Sequence, residues 1–280
     1  MKVFISVDIE GATGVVSFSQ CGRPDAEHFD YAFARRMLTL DVNAAIRGFR
    51  RAGATEVVVK DSHATCKNLL IDQLEAGTQL ISGFGAGIDG MMDGIDSSFG
   101  ACALIGYHGM AGAEKALMDH ALVGGLYRFW INGTEAGEIA VSAAVAGAYG
   151  VPTLLVTSDD VGCKEALDCL PGVRTFSTKV GFGRYMGQLA HPETTGPAIE
   201  AAAHEALKNA ESCRPYSIDG AVTMRAEFRN VEEADLAAQL ENVNRLSGYT
   251  VEWTRPSFMT AHRAALSVFN MSIQGRRSGT

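Results

Sequence analysis

The chain has 280 residues, 47% of them hydrophobic and 20% charged, with a formal net charge of −8. That length fits one large or two medium domains with a substantial core. The acidic balance argues against a nucleic-acid or anionic-membrane partner, while leaving the charge of any local site open.

The apolar run after Lys2 ends at Asp8, too short for a secretory leader, so none is expected. A first strand is expected over residues 3–7. Over 29–52, apolar residues recur at helical spacing (Phe33, Met37, Ala44, Ala45, Phe49) with arginines between them, and Gly53 ends this amphipathic helix. TEVVVKDSH is a β-branched run that turns polar at Lys60; strand, helix and strand in that order form a parallel βαβ unit.

The GACALIGYHG segment is a further buried strand closing on His108. Residues 126–131 form a strand ended by the Asn132-Gly133 turn, 136–149 an alanine-rich helix, and VPTLLVTSDD a strand ending in acids. The longest apolar stretch, 139–156, is broken by Gly150 and Pro152 and reads as a helix followed by a strand, not a membrane span. Beyond residue 175 come a helix over 197–210, a strand over 221–228, a helix over 231–246, the strand YTVEWT and a last helix from Met259. The expected fold class is therefore α/β: a mostly parallel sheet flanked by helices, with a smaller C-terminal α/β subdomain. The division is 1–175, the catalytic part, and 176–280. The six cysteines form no CxxC pair and read as reduced thiols of a cytoplasmic protein.

In open parallel sheets ligands sit beyond the carboxyl ends of the strands. Here those ends carry Asp8 and Glu10, Asp61 and His63, and His108. Each pair two residues apart shares one strand face and offers two groups to one point. Imidazoles and carboxylates without thiolates are the ligand set of zinc, manganese or iron hydrolases. Any one of them alone reads equally as an ordinary polar residue at a loop start; the set points to a metal.

SVDIEG, DSH, GYH, MDH and NGTEAGE, in this order, resemble the M55 peptidases, a family of D-aminopeptidases. The resemblance implies two zinc ions per chain held by Asp8, Glu10, His63, His108 and Glu138, with His120 as the catalytic group. It further implies a short peptide substrate with an N-terminal D-residue and a homo-oligomer, a ring-shaped homodecamer. On physical grounds Glu138 opens the alanine-rich helix, where the dipole favours a carboxylate. Asp61 has two open readings: it accepts the free ring N–H of a ligating histidine in the second shell, or it caps the turn that follows.

Two alternatives stand beside this reading. One is a non-catalytic α/β protein binding a small molecule at its polar strand ends. The other is a nucleotide-dependent oxidoreductase using GAGIDG (85–90), a literal GxGxxG that lacks a following helix. HEALK (204–208) is a HExxH motif without its second histidine and reads as helix surface. Cys66 reads as a bystander to the histidine cluster.

Overall fold

The computed structural model describes residues 1–22, 30–85 and 87–278. In chain order the elements are β1 (Lys2–Val7), α1 (Tyr31–Arg51), β2 (Glu56–Asp61), β3 (Gln79–Ile81), β4 (Ala101–Ile105), β5 (Leu126–Ile131), β6 (Thr134–Glu135), α2 (Glu138–Ala148), β7 (Thr153–Asp159) and α3 (Asp160–Cys169). There follow β8 (Arg174–Gly183), β9 (Met186–Leu189), α4 (Pro192–Lys208), β10 (Val222–Phe228), α5 (Val231–Ala237), β11 (Asn244–Arg245), β12 (Thr250–Arg255) and α6 (Phe258–Ser278). The start of the first expected helix, Phe29, lies outside the described residues.

The larger sheet has the order β3-β2-β1-β4-β7-β8-β9, parallel except for the final β8–β9 pair. From β1 the chain crosses through α1 to β2 on one side, then returns to place β4 on the other. This reversal of direction opens a crevice at the carboxyl ends of β1 and β4, the place where such sheets take ligands. A smaller antiparallel sheet has the order β11-β12-β10-β5-β6. The architecture is α/β with a mostly parallel main sheet and a smaller, largely C-terminal second sheet. The boundary expected at residue 175 falls inside β8, and residues 126–135 join the second sheet, so the two sheets interleave along the chain.

One apolar core lies between the main sheet and helices α1 and α4, built from residues such as Val3, Ile5, Leu38, Phe49 and Ile199. The other joins Phe4, Leu104 and Val156 of the main sheet to α2 and then to Phe129, Met224 and Trp253 of the second sheet. Sandwiched this way, α2 is buried from Glu138 to Gly147, which is why its sequence is apolar on every side.

Two expected elements shift. Helix α4 starts at Pro192 and not at Pro197, because Pro192 takes the first helical position and His191 Nδ1 accepts from Glu193 N at 3.2 Å. Helix α5 stops at Ala237. The chain then turns through Asn242 in the left-handed region (φ 59°), and Asn244–Arg245 pair with β12. VPTLLVTSDD forms a strand ending in acids, as expected: Asp159 closes β7 and Asp160 opens α3. Asp159 caps α3, its side chain accepting from Gly162 N at 2.8 Å and from Leu117 N at 2.7 Å.

Candidate metal centre

Strand β1 carries the first two groups. Asp8 and Glu10 follow it on one face, both buried. The chain then passes close under the loop after β4: Gly11 N donates to Gly106 O at 2.7 Å, and a Cβ on Gly11 would lie 1.7 Å from Tyr107 O. Close approach, and not a left-handed turn, is what requires glycine there.

His63 follows β2 and His108 follows β4, so both enter the crevice from the strands flanking β1. His63 Nδ1 lies 2.9 Å from Asp8 Oδ1 and 3.0 Å from Glu10 Oε2. His108 Nε2 lies 3.5 Å from Asp8 Oδ2 and 3.5 Å from Glu138 Oε1. Glu138 is the first residue of α2 and accepts from Leu122 N at 2.6 Å. His120 stacks on His108 with ring centroids 4.0 Å apart, and its Nε2 is 3.9 Å from Glu10 Oε1 and 3.8 Å from Glu138 Oε1.

These side chains form overlapping donor sets whose ligand atoms lie within 4.8 Å of one another: Asp8, Glu10 and His63; Asp8, His108 and Glu138; and Glu10, His108 and His120. The first two share Asp8 through different oxygens. Among the described residues, Asp8 Oδ2, both Glu10 carboxylate oxygens and His108 Nε2 are buried without a hydrogen-bond partner. Such burial costs several kcal/mol per charge unless something compensates it. The residues fit a pair of divalent cations: the orphaned atoms are donors with no thiolate among them, pointing at one another.

The electrostatics among these side chains show the same tension. Burial, reinforced by the Glu10 charge, pushes the Asp8 carboxyl up to about 7. Burial opposes ionisation of Glu10 too, but His63 beside it holds that carboxyl well below the usual range. Burial also disfavours the imidazolium forms of His63 and His108. The carboxylates of Glu10 and Asp8 around the first, and of Glu138 and Asp8 around the second, nevertheless raise both well above the ordinary value. His120 goes the other way, lowered to about 4 by burial and then by His108.

A family model described as D-aminopeptidase, peptidase M55, matches residues 1–267. The chain belongs to the M55 peptidase family. This M55 peptidase is 30% identical over 277 residues to the D-aminopeptidase of Bacillus subtilis (strain 168), covering 98% of each chain. It is also similar, with a TM-score of 0.92, 30% identity and 98% of each chain covered, to a solved structure described as the Zn-dependent D-aminopeptidase DppA from Bacillus subtilis, a self-compartmentalizing protease. Membership and the paired donor sets together support a metal-dependent peptidase activity.

In this M55 peptidase each of the three histidine rings is anchored on a backbone carbonyl, with His63 Nδ1 also hydrogen-bonded to Asp8 Oδ1 at 2.9 Å. His63 Nε2 donates to Cys21 O at 2.8 Å, His108 Nδ1 to Gly109 O at 2.9 Å and His120 Nδ1 to Met118 O at 2.9 Å. The first reading of Asp61 is corrected accordingly: its carboxylate does not meet the His63 ring. It accepts from Asn68 N at 2.6 Å, Leu69 N at 2.8 Å and Asn68 Nδ2 at 2.8 Å, capping the turn, while Asn68 Nδ2 also reaches His63 O at 2.8 Å. Asp61 thus steadies the segment carrying the histidine. Non-glycine residues with positive φ gather beside these histidines, Ala64 and Cys66 after His63 and Lys115, Met118 and Leu122 around His120, a concentration of backbone strain of the kind active sites hold.

Residues 85–90 lead only into a three-residue 3-10 helix at Gly90–Met92, so no helix N-terminus faces a phosphate there; Ala86 lies outside the described residues. His204 is on α4 with Glu205 as its neighbour at 3.2 Å. Among the described residues the cysteines form no disulfide. No helix among the described residues is long and apolar enough to cross a membrane.

Proposed function

We propose that this protein is a zinc-dependent aminopeptidase that hydrolyses short peptides bearing an N-terminal D-residue. The observation that carries the reading is the pair of buried donor sets meeting at Asp8. Asp8, Glu10 and His63 would hold one ion, and Asp8, His108 and Glu138 the other. When bound, such a pair supplies Lewis acidity toward the scissile carbonyl and a water activated near neutral pH.

The chain's own residues then handle the proton. Donation from His120 Nδ1 to Met118 O leaves Nε2 as the basic nitrogen, and it faces the cluster. From there His120 takes a proton from the nucleophile and passes one to the leaving amine, as a general base and acid. Phe18 packs edge-on against the His120 ring, centroids 5.4 Å apart, and screens one side of it from solvent. Zinc as the metal, the D-preference and a self-compartmentalizing homo-oligomer are supported by the similarity to the Bacillus subtilis protein, whose descriptions carry the zinc, the D-aminopeptidase activity and the self-compartmentalizing assembly; the ring-shaped homodecamer rests on the family resemblance alone.

The test is metal analysis joined to a substrate panel. The purified protein should carry about two metal ions per chain, lose activity to a chelator and regain it with zinc. D-amino-acid amides and dipeptides with a D-residue first should be cleaved in preference to the L-forms. His63→Ala should lose metal, whereas His120→Ala should keep it and lose turnover. A metal-free protein with full activity would overturn the reading, and L-selectivity would overturn its stereochemical part.

A further inference from the structure

Of the five side chains assigned to the metals, four have a hydrogen bond that fixes them. Asp8 Oδ1 accepts from Ile9 N, His63 and His108 donate to backbone carbonyls, and Glu138 accepts from Leu122 N. Glu10 has no such bond among the described residues: both its carboxylate oxygens lack a hydrogen-bond partner, and the His63 Nδ1 that lies 3.0 Å from Oε2 belongs to the same donor set. Its aim has to be set by its backbone.

That backbone rests on a buried ammonium. Lys179 lies in β8, only 2% exposed, and its Nζ donates to the carbonyl oxygens of Glu10, Ala12 and Val15. The three protons of the ammonium meet three acceptors. The preceding residue, Thr178, donates through Oγ1 to Gly11 O at 2.7 Å. The carbonyls of residues 10, 11, 12 and 15 thus all turn toward β8, while the Glu10 side chain points to His63. A buried lysine is costly, and among the described residues no carboxylate forms an ion pair with it. For packing alone an aliphatic side chain would serve better. What the ammonium adds is three charge-assisted bonds to one short loop.

We propose that Lys179 is a positioning residue of the metal centre: by holding residues 10–15 it aims Glu10, and so sets the affinity of the Asp8–Glu10–His63 donor set while leaving Asp8–His108–Glu138 unaffected. This rests on the dinuclear reading above.

The experiment is zinc titration calorimetry of chelator-stripped full-length protein, wild type beside Lys179→Met, Glu10→Gln and Glu138→Gln. Loss of a group that supports a ligand typically weakens a metal by about 10–100-fold. The Lys179→Met protein should show that loss at one site only, with an isotherm matching Glu10→Gln and not Glu138→Gln. Two sites with wild-type affinity in Lys179→Met, or equal weakening of both, overturn the proposal. A wild-type protein that binds fewer than two ions overturns the dinuclear reading and the proposal with it. If circular dichroism shows Lys179→Met unfolded, Thr178→Val, which removes one neutral bond to the same loop, decides: weakening at the Glu10 site alone supports the proposal, and unchanged binding overturns it.

Discussion

Asp8 faces the two donor sets with different oxygens, Oδ1 toward His63 and Oδ2 toward His108. Asp8→Ala should therefore abolish both metal sites, whereas Glu138→Gln should leave one, as metal analysis of the dialysed proteins would show. The titration of the cluster adds a pH prediction. The carboxylates around His63 and His108 raise both above their unfolded value. Their imidazolium forms thus contribute stability fully present below about pH 6.5 and lost as the pH rises through the raised folded values. A cation must displace those same protons, so metal affinity should climb with pH over that window. Calorimetric titration at several pH values, with buffers of different ionisation enthalpy, would reveal the proton release; pH-independent affinity would contradict it. At this scale most of the candidate site was legible, because strand ends expose period-two pairs such as Asp8 and Glu10. The orienting carbonyls of Cys21, Gly109 and Met118 were not, since every residue carries one. Nor was Lys179, since nothing in its local sequence marks a lysine as buried.

The loop from Met110 to Leu122 delivers His120, and neighbouring elements hold it. Met110 and His120 form a bridge, Met118 N donates to Arg184 O at 2.8 Å, and the Arg184 guanidinium pairs with Asp119 at 2.7 Å. Arg184 sits in the turn between β8 and β9, and its guanidinium lies 5.7 Å from the Phe18 ring. Arg184→Ala should free the segment next to His120. A displacement of about 1 Å at a catalytic group can cost on the order of a hundredfold, so kcat should fall by roughly ten- to a hundredfold. Metal content should be kept, and stability should change by no more than about 1 kcal/mol, as for a partly exposed ion pair. Steady-state kinetics with parallel metal analysis would check this; loss of metal instead would place Arg184 with the ligands. The β8–β9 hairpin itself was not read from the sequence. Gly181, Gly183 and Gly187 interrupt its alternation, and glycines in a strand weaken the period that identifies it. Helices α1 and α2, by contrast, were readable, the first from apolar residues at helical spacing and the second from its run of alanines.

The whole molecule ties the metal centre to both sheets. The proposed ligands Asp8, Glu10, His63 and His108 come from the main sheet. Glu138 comes from α2, which enters directly from the β5–β6 hairpin of the second sheet. That hairpin pairs with β10, about ninety residues later, at Arg225 opposite Trp130 and Met224 opposite Ile131. Antiparallel pairing over such a separation leaves no local mark, which is why the sequence suggested a simple split near residue 175 and not two interleaved sheets. One apolar core runs from Phe4 through α2 to Trp253, so the two sheets should unfold together. Bound cations add to that unit by mass action: an ion at a hundred times its Kd contributes about 2.7 kcal/mol. A domain of this size shifts by ~2–4 °C per kcal/mol. Chelator-stripped protein should accordingly melt in one transition, roughly 5–10 °C lower for each saturated site removed. Glu138→Gln should show about half the wild-type gain on adding zinc. Two separate transitions in the stripped protein would break the claim of a shared core, and a melting temperature indifferent to metal would break the link between the site and the fold.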